Sequence, residues 1–339
     1  MREIILHIGT EKTGTTTIQE FFSLNRNVLN EMGTLYSKSM GNKNHTRLAM
    51  CAAAPKRGIL RKISSDKSLL TSFKISTLSE WNKELQATTA ERIIFSSEQL
   101  HSQLRSLEEV KALKDILPVV PCRVIMYVRR QDKAAVSRAS TAIKAGFNNE
   151  KFFPKLNNKK PPRFDYLSSY KLWSEVFGTG SVSIRIFDRA EFKEGNLLKD
   201  ICSVIGIEWH DKFITPEDKN KSLDVNGKFL MNQINNIKNK NQNLNTPSVQ
   251  KLISTISKKF TDGDRFMPTR EEAKNFYTRF ISDNEELRRL ALPHRENPIF
   301  NTDFSDYSEL ENINSSQVDI NCIVEFLLQE FLQNNIHQR

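Results

Sequence analysis

The sequence predicts a three-layer α/β fold, with helices on both faces of a central parallel sheet, followed by a helical C-terminal part. Two observations carry this prediction. Short apolar runs alternate with amphipathic helical patterns up to Ile214, and only helical patterns follow it. Strands that alternate with helices are typical of a doubly wound parallel sheet, in which ligands bind beyond the carboxyl ends of the strands.

The first strand is Ile4–Ile8, a continuously apolar run of the kind that is buried on both faces of a parallel sheet. A helical pattern over Thr15–Met32 follows it. The later strands are the apolar runs Arg92–Ser96, Arg123–Val128 and Val182–Phe187. The helices that follow them are marked by a capping box at Ser106–Glu109, a pattern near Asp132–Lys144, and Leu197–Ile205 with Gly206 as its stop.

The C-terminal part contains further helical patterns at Arg270–Leu292 and Val318–Leu332. We therefore expect a single domain over residues 1–339, with an α/β core at residues 1–214 and a helical part at residues 215–339.

The composition narrows the classes of function. The net charge of +10 at pH 7 favours an anionic ligand or an anionic substrate. No motif that combines aromatic and basic residues stands out, so no nucleic-acid partner is expected. The sequence carries no signal for an oligomeric state.

The sequence also predicts the cellular location of the protein and whether it binds a metal. No stretch approaches the roughly 20 consecutive apolar residues of a membrane span. Met1-Arg2-Glu3 leads directly into a strand and does not resemble a signal peptide, so we expect a cytoplasmic protein of bacterial type. Four cysteines lie far apart, without a CxxC pair or a His/Cys cluster, and no metal is expected.

The segment HIGTEKTGTT, residues 7–16, lies between the first strand and the first helix and is similar to a P-loop whose cation has moved. A P-loop reads G-x-x-x-x-G-K-[ST]. Gly9 and Gly14 keep this spacing, but Thr15 stands where the lysine is expected, and Lys12 is the only lysine of the loop. A clamp of β,γ-phosphate and Mg²⁺ is therefore not expected.

The loop nevertheless has the groups of an anion site. Backbone N–H groups at the start of the helix point towards the turn, and the helix dipole favours an anion there. Threonine hydroxyls add donors, and a lysine adds a mobile cation. The predicted contacts with the anion come from Lys12, Thr13, Gly14, Thr15, Thr16 and Thr17.

A second anion-binding pair follows the third predicted strand, which ends in VRRQDKAAVSRAS. Arg129 lies at the carboxyl edge of the sheet, where a ligand is expected. Ser137 comes eight residues later, on the next helix. An arginine and a serine in these positions can hold one phosphate from two sides.

Together these features resemble the sulfotransferases that use 3′-phosphoadenosine 5′-phosphosulfate (PAPS). In that family a PKTGTT or PKSGTT loop binds the 5′-phosphosulfate, and this chain has EKTGTT, with Glu11 in place of the proline. The family also binds the 3′-phosphate with an Arg…Ser pair eight residues apart, which Arg129 and Ser137 match. The form HIGTEKTGTTTIQ is most similar to bacterial and carbohydrate-type members.

The resemblance implies PAPS as donor substrate, 3′-phosphoadenosine 5′-phosphate (PAP) as product, and no metal. It places Lys12 at the bridging oxygen between phosphate and sulfate, where negative charge grows as the bond breaks. A sulfuryl group carries less charge than a γ-phosphoryl group, so its transfer needs no Mg²⁺. This donor is therefore compatible with a loop that has no lysine after Gly14.

The resemblance also implies a general base near the end of the second predicted strand, in FSSEQLH. A glutamate in this region is the base of the glycan-modifying relatives, so Glu98 is expected to take the proton of an acceptor hydroxyl. His101 is an alternative, because imidazole is the base in the hormone- and drug-sulfating branch. His45, in NKNHTRLAM, is another, since relatives of this type often carry a histidine there.

The function that the resemblance implies is O-sulfation by in-line displacement on a hydroxyl of a carbohydrate or glycoconjugate. The basic segments at residues 41–70 and 151–163 are compatible with an anionic glycan. Three other classes remain open. A P-loop kinase or NTPase needs a lysine after Gly14, and a nucleotide-binding protein without catalysis would tolerate the loss of Lys12 and Glu98. A structural protein that binds polyanions would show steep salt dependence without a preference for a nucleotide.

Overall fold

The computed structural model describes residues 2–147, 151–155, 160–217, 222–241, 246–265, 267–309 and 318–336. The chain forms two compact units. The first contains Met1–Arg130, Leu156–Glu217 and Phe280–Asn301, and the second contains Gln131–Lys155, Asp218–Arg279 and Thr302–Arg339. The division at residue 214 into a core and a helical part stays a prediction.

The first unit contains a sheet of five parallel strands in the order β2-β3-β1-β4-β5. The strands are β1 (Glu3–Gly9), β2 (Thr34–Tyr36), β3 (Arg92–Ser96), β4 (Cys122–Val128) and β5 (Val182–Ile186). In the register, Leu6 of β1 pairs with Phe95 on one side and with Val124 on the other. The loop after β1 therefore lies where the strand order reverses, which is the usual ligand position of such sheets.

The helices of the described residues follow in chain order. They are α1 (Thr15–Leu24), α2 (Arg26–Glu31), α3 (Thr46–Ala52), α4 (Lys67–Ala87), α5 (Glu98–Gln103), α6 (Leu107–Ile116), α7 (Gln131–Lys144), α8 (Tyr166–Phe177), α9 (Leu197–Ile205), α10 (Val225–Lys240), α11 (Pro247–Lys259), α12 (Arg270–Thr278), α13 (Ile281–Ala291) and α14 (Ile320–Ile336). Helices α7, α10, α11, α12 and α14 belong to the second unit.

Both faces of the sheet are covered within the first unit. Ile5 and Ile94 pack on one face in a buried cluster with residues of α1 and α9, such as Phe21. Phe95 follows Ile94 in β3 and so points to the opposite face, where its ring contacts Trp81 of α4 at 5.2 Å between centroids. The predicted α/β fold with a central parallel sheet and helices on both faces is confirmed.

The second unit has its own apolar core, built between its helices. Leu230 and Met231 of α10, Ile256 of α11 and Phe326 of α14 are buried together. Its described residues form helices and isolated bridges, and no strand of the sheet. Among the residues that the structure describes, no helix is both long enough and apolar enough to cross a bilayer.

Several elements differ from the sequence prediction. The helical pattern over Thr15–Met32 is two helices, because the side-chain amide of Asn25 donates to the carbonyls of Phe21 and Ile214 at 2.8 Å each and ends α1. The pattern over Arg270–Leu292 is likewise divided, into α12 and α13. Strand β2 and helices α3, α4, α8 and α11 were not predicted at all.

Candidate active site

The β1–α1 loop is a tight turn in which both glycines are required sterically. Gly14 caps α1 with φ of 69°, in the left-handed region, and a side chain there would collide with Leu197. Gly9 has φ of 84°, and a Cβ atom at this position would lie 3.1 Å from the Cα of Glu98. The carboxylate-bearing residue that follows β3 therefore lies directly against the loop.

Lys12 is one of two non-glycine residues with positive φ among those described, at 67°. This conformation costs an L-residue about 1 kcal/mol or more. The surrounding turn holds it, since the Thr10 N–H and hydroxyl both donate to the Tyr127 carbonyl, at 2.9 and 3.0 Å. The buried Thr13 hydroxyl donates to the Thr10 carbonyl at 2.6 Å. A strained residue in a well-held turn is typical of a functional site.

The start of α1 offers backbone donors beyond this turn. Its first helical hydrogen bond is from Ile18 N–H to the Gly14 carbonyl at 3.1 Å, and no side chain caps the helix. The N–H groups of the preceding residues have no partner within the helix, which makes this end suitable for an anion. Thr15 is buried, Thr17 is half-buried and Thr16 is exposed.

Arg129 lies beside the same loop. It follows β4, and its Nη1 donates to the Lys12 carbonyl at 3.2 Å. Its guanidinium lies 5.3 Å from the ring centroid of Phe187, which follows β5. Ser137 lies on α7 in the second unit, where it is half-buried and its carbonyl accepts from the Thr141 hydroxyl at 3.1 Å. The joint phosphate contact of Arg129 and Ser137 stays a prediction.

Glu98 is the first residue of α5, whose N-cap Ser97 accepts from the Gln99 N–H. Two side-chain amides hold its carboxylate. Gln19 Nε2 donates to Oε2 at 2.9 Å, and Asn44 Nδ2 donates to Oε1 at 2.9 Å and to Oε2 at 3.0 Å. Among the described residues, no lysine or arginine forms an ion pair with Glu98.

His45 is fully buried and uses both ring nitrogens. Its Nδ1 accepts from the Ser96 N–H at 2.8 Å, so its Nε2 carries the proton and donates to the Ser37 carbonyl at 2.8 Å. Burial lowers the pKa of His45 to about 4, which keeps the ring neutral at pH 7. The imidazole thus fixes the loop that precedes α3 to the end of β3.

His101, the third candidate base, is buried on α5, one helical turn after Glu98. Its Nε2 is 3.0 Å from the Ser169 hydroxyl, which in turn donates to the Asp165 carbonyl at 2.9 Å. Burial lowers the pKa of His101 to about 4, although the charge of Glu11 opposes this. Glu11 itself pairs with Arg163 at 3.6 Å.

Sequence reasoning missed Gln19 and Asn44, the two residues that hold the predicted base. Gln19 had a weak local signal, because it is a polar residue beside Ile18 in the apolar stripe of α1. The structure buries it, with 5% of the residue exposed. Asn44 had none, since an asparagine in a polar segment is ordinarily exposed to solvent.

Comparisons with known proteins identify the family of the chain. The family model of the sulfotransferase domain matches residues 2–278. An uncharacterized protein of Archaeoglobus fulgidus is 28% identical over 186 residues, which are 54% of this chain and 50% of that protein, so the chain spans about half the length of this relative. A sulfotransferase crystal structure from Alicyclobacillus acidocaldarius matches 87% of this chain and 98% of its own, with 14% identity and a TM-score of 0.46. Because the family match extends over most of its length, the chain belongs to the sulfotransferase domain family.

Proposed function

We propose that this chain is a PAPS-dependent O-sulfotransferase that uses Glu98 as its general base. One observation carries the proposal. The Cα and Cβ atoms of Glu98 pack against Gly9, and its carboxylate accepts a hydrogen bond from Gln19 of α1, the helix that begins at the loop containing Lys12. A base and an anion site placed side by side are what an in-line transfer between an acceptor hydroxyl and a bound phosphosulfate requires.

The proposed step transfers a sulfuryl group without a covalent enzyme intermediate. A lone pair of the acceptor hydroxyl attacks sulfur while its proton passes to the Glu98 carboxylate. The bond between sulfur and the bridging oxygen breaks, and its electron pair stays on that oxygen, which becomes a phosphate oxygen of PAP. The products are a sulfate ester, PAP and one proton, which Glu98 later releases.

The loop residues stabilise the charge that develops on the leaving group. We assign the Lys12 ammonium to the bridging oxygen, and the N–H groups and hydroxyls of Thr15, Thr16 and Thr17 to the 5′-phosphate. Arg129 supplies a charge-assisted contact with the 3′-phosphate, and Ser137 is the second contact that the resemblance implies. The proposal gives neither His45 nor His101 the role of base, because burial lowers the pKa of both imidazoles. Both ring nitrogens of His45 are hydrogen-bonded, and in His101 Nε2 contacts Ser169 while Nδ1 is buried among the described residues.

The acceptor in this proposal is a hydroxyl of a carbohydrate or glycoconjugate. The net charge of +10 supports an anionic partner. The four cysteines are free thiols, which supports a reducing, cytoplasmic location for the reaction.

Calorimetric titration with PAP, beside ATP with and without Mg²⁺, tests the donor site. We expect PAP to bind more tightly than ATP, and metal to be unnecessary, because the loop has no lysine after Gly14. Labelled PAPS with neutral and anionic oligosaccharides then tests for transfer. Preference for Mg²⁺ and ATP would instead favour a kinase, and PAP binding without any turnover of PAPS would favour a nucleotide-binding protein without catalysis.

A further inference from the structure

The hydrogen bonds of Glu98 assign roles to two further residues and to one oxygen atom. We propose that Asn44 and Gln19 are positioning residues for the base, and that Oε1 of Glu98 is the atom that takes the acceptor proton. This inference rests on the proposed function, because it describes how the base of that reaction is oriented.

Counting lone pairs distinguishes the two carboxylate oxygens. Each oxygen of an ionised carboxylate can accept about two hydrogen bonds. Oε2 accepts from both Gln19 and Asn44, whereas Oε1 accepts from Asn44 alone. Asn44 shares its hydrogen bond between the two oxygens, and Gln19 donates to Oε2 alone, so Oε1 keeps the larger remaining capacity to accept a hydrogen bond. A hydroxyl that approaches Glu98 finds its acceptor at Oε1.

The chain fixes the orientation of the Asn44 amide. The Thr46 hydroxyl donates to Asn44 Oδ1 at 3.0 Å, so the NH₂ group of Asn44 is the end that faces Glu98. The backbone is held as well, because the Thr46 N–H donates to the Asn44 carbonyl at 2.8 Å and the next residue, His45, donates from its N–H to the Ser96 carbonyl at 3.0 Å. A glycine at position 41 is needed here, since a side chain would collide with the Asn44 carbonyl.

Gln19 connects the base to the anion site. It lies one helical turn after Thr15, on the same face of α1, and its side chain is buried. The helix that begins at the anion-binding loop thus also holds Oε2 of Glu98. This arrangement sets the position of the base relative to the donor, and small displacements of a base are costly in rate.

Both amides donate hydrogen bonds to a carboxylate and can do so without adding a charge. A lysine or arginine in their place would compete with the acceptor hydroxyl for the remaining capacity of Oε1. Neutral donors orient the base and leave its charge available for the proton.

The test is a mutant cycle in which Asn44→Ala and Gln19→Met are each made alone and in combination with Glu98→Ala. Turnover of labelled PAPS is measured as transfer to an oligosaccharide mixture plus release of inorganic sulfate to water. Each single variant should lower kcat about tenfold or more, a part of the 10²–10⁴-fold that a general base contributes, with PAP affinity unchanged. In the Glu98→Ala background neither should cause a further loss, because both act through Glu98.

Asn25→Ala is the matched control. The buried Asn25 amide also donates two hydrogen bonds, but to backbone carbonyls, and it accepts one from the Ile214 N–H, so its loss should lower the melting temperature and leave kcat unchanged. The inference would be overturned, with the proposed function intact, by a normal kcat in folded Asn44→Ala and Gln19→Met. A loss in the Glu98→Ala background as large as in the wild-type background would overturn it as well. A wild-type protein that neither binds PAP nor consumes PAPS would instead overturn the proposed function.

Discussion

Two carboxylates near the start of consecutive helices have opposite surroundings. Glu98, at the start of α5, accepts hydrogen bonds from neutral amides and keeps the capacity to accept a further one at Oε1. Glu109, in the first turn of α6, accepts two hydrogen bonds of 2.6 Å from the Arg57 guanidinium. It also accepts from the backbone N–H groups of Ala54, Arg105 and Ser106, at 2.9, 2.8 and 3.1 Å.

This difference distinguishes a carboxylate with a structural role from one that is able to accept a proton during a reaction. Burial by itself raises the pKa of Glu109, but the Arg57 and backbone hydrogen bonds outweigh it and lower this pKa to about 2. A carboxylate that is paired with a cation and saturated with donors is a poor proton acceptor at pH 7. The amides around Glu98 provide orientation without such pairing.

The largest expected effect is on stability, in Glu109→Ala. The substitution leaves the Arg57 guanidinium and three backbone N–H groups without their acceptor, and we expect a loss of about 3 kcal/mol in the free energy of unfolding, discounted for the partial exposure of Arg57. Urea unfolding at pH 7 measures it. The exposed neighbour in Glu108→Ala should leave the stability nearly unchanged. Equal effects of the two substitutions would contradict the structural role of Glu109.

The stabilisation by Glu109 should also depend on pH. The pKa of this carboxyl lies near 2 in the folded chain and near its ordinary value of 4.5 when unfolded. Its contribution is therefore complete above pH 4.5 and declines as the pH falls towards 2. The stability difference between wild type and Glu109→Ala should shrink between pH 5 and pH 3 in urea titrations. A difference that stays constant over this range would show that charge is not its source.

Glu98→Ala should have the reverse profile of Glu109→Ala, with a large effect on turnover and a small one on stability. Removal of a general base lowers kcat by at least about a hundredfold. PAP affinity should stay within about twofold, because Glu98 is assigned no contact with the nucleotide. Folded Glu109→Ala, assayed in parallel below its melting temperature, should keep its turnover. Full activity of Glu98→Ala with a good acceptor would remove it as the base.

Much of the fold can be predicted because buried parallel strands are continuous apolar runs. β1, β3, β4 and β5 all lie where such runs occur. Strand β2 has three residues, which is too short for a periodic signal. Helix α4 has 21 residues, but only Leu70, Thr77 and Trp81 are buried, so its apolar stripe is too narrow to recognise.

The candidate site likewise contains residues that the sequence can predict and residues that it cannot. Lys12, Arg129 and Glu98 follow directly after β1, β4 and β3, and a sheet brings the ends of its neighbouring strands together. The residues that hold Glu98 come from α1 and from the segment before α3, far from it in sequence. No local sequence pattern predicts that Gln19 and Asn44 both contact the Glu98 carboxylate, because this contact depends on how α1 and α3 pack against the strand ends.

The smallest of these effects is expected for Arg129→Ala, which tests whether cations at this edge bind the donor while Glu98 acts on the acceptor. Loss of one charge-assisted phosphate contact should weaken PAP binding by about tenfold or somewhat more, since such contacts contribute at least about 1.5 kcal/mol. Calorimetry with PAP and with adenosine 5′-phosphate, which lacks the 3′-phosphate, separates the contacts: the variant should lose affinity only for PAP. Because Arg129 also donates to the Lys12 carbonyl, an equal loss for both nucleotides would indicate that it supports the β1–α1 loop instead of contacting the 3′-phosphate.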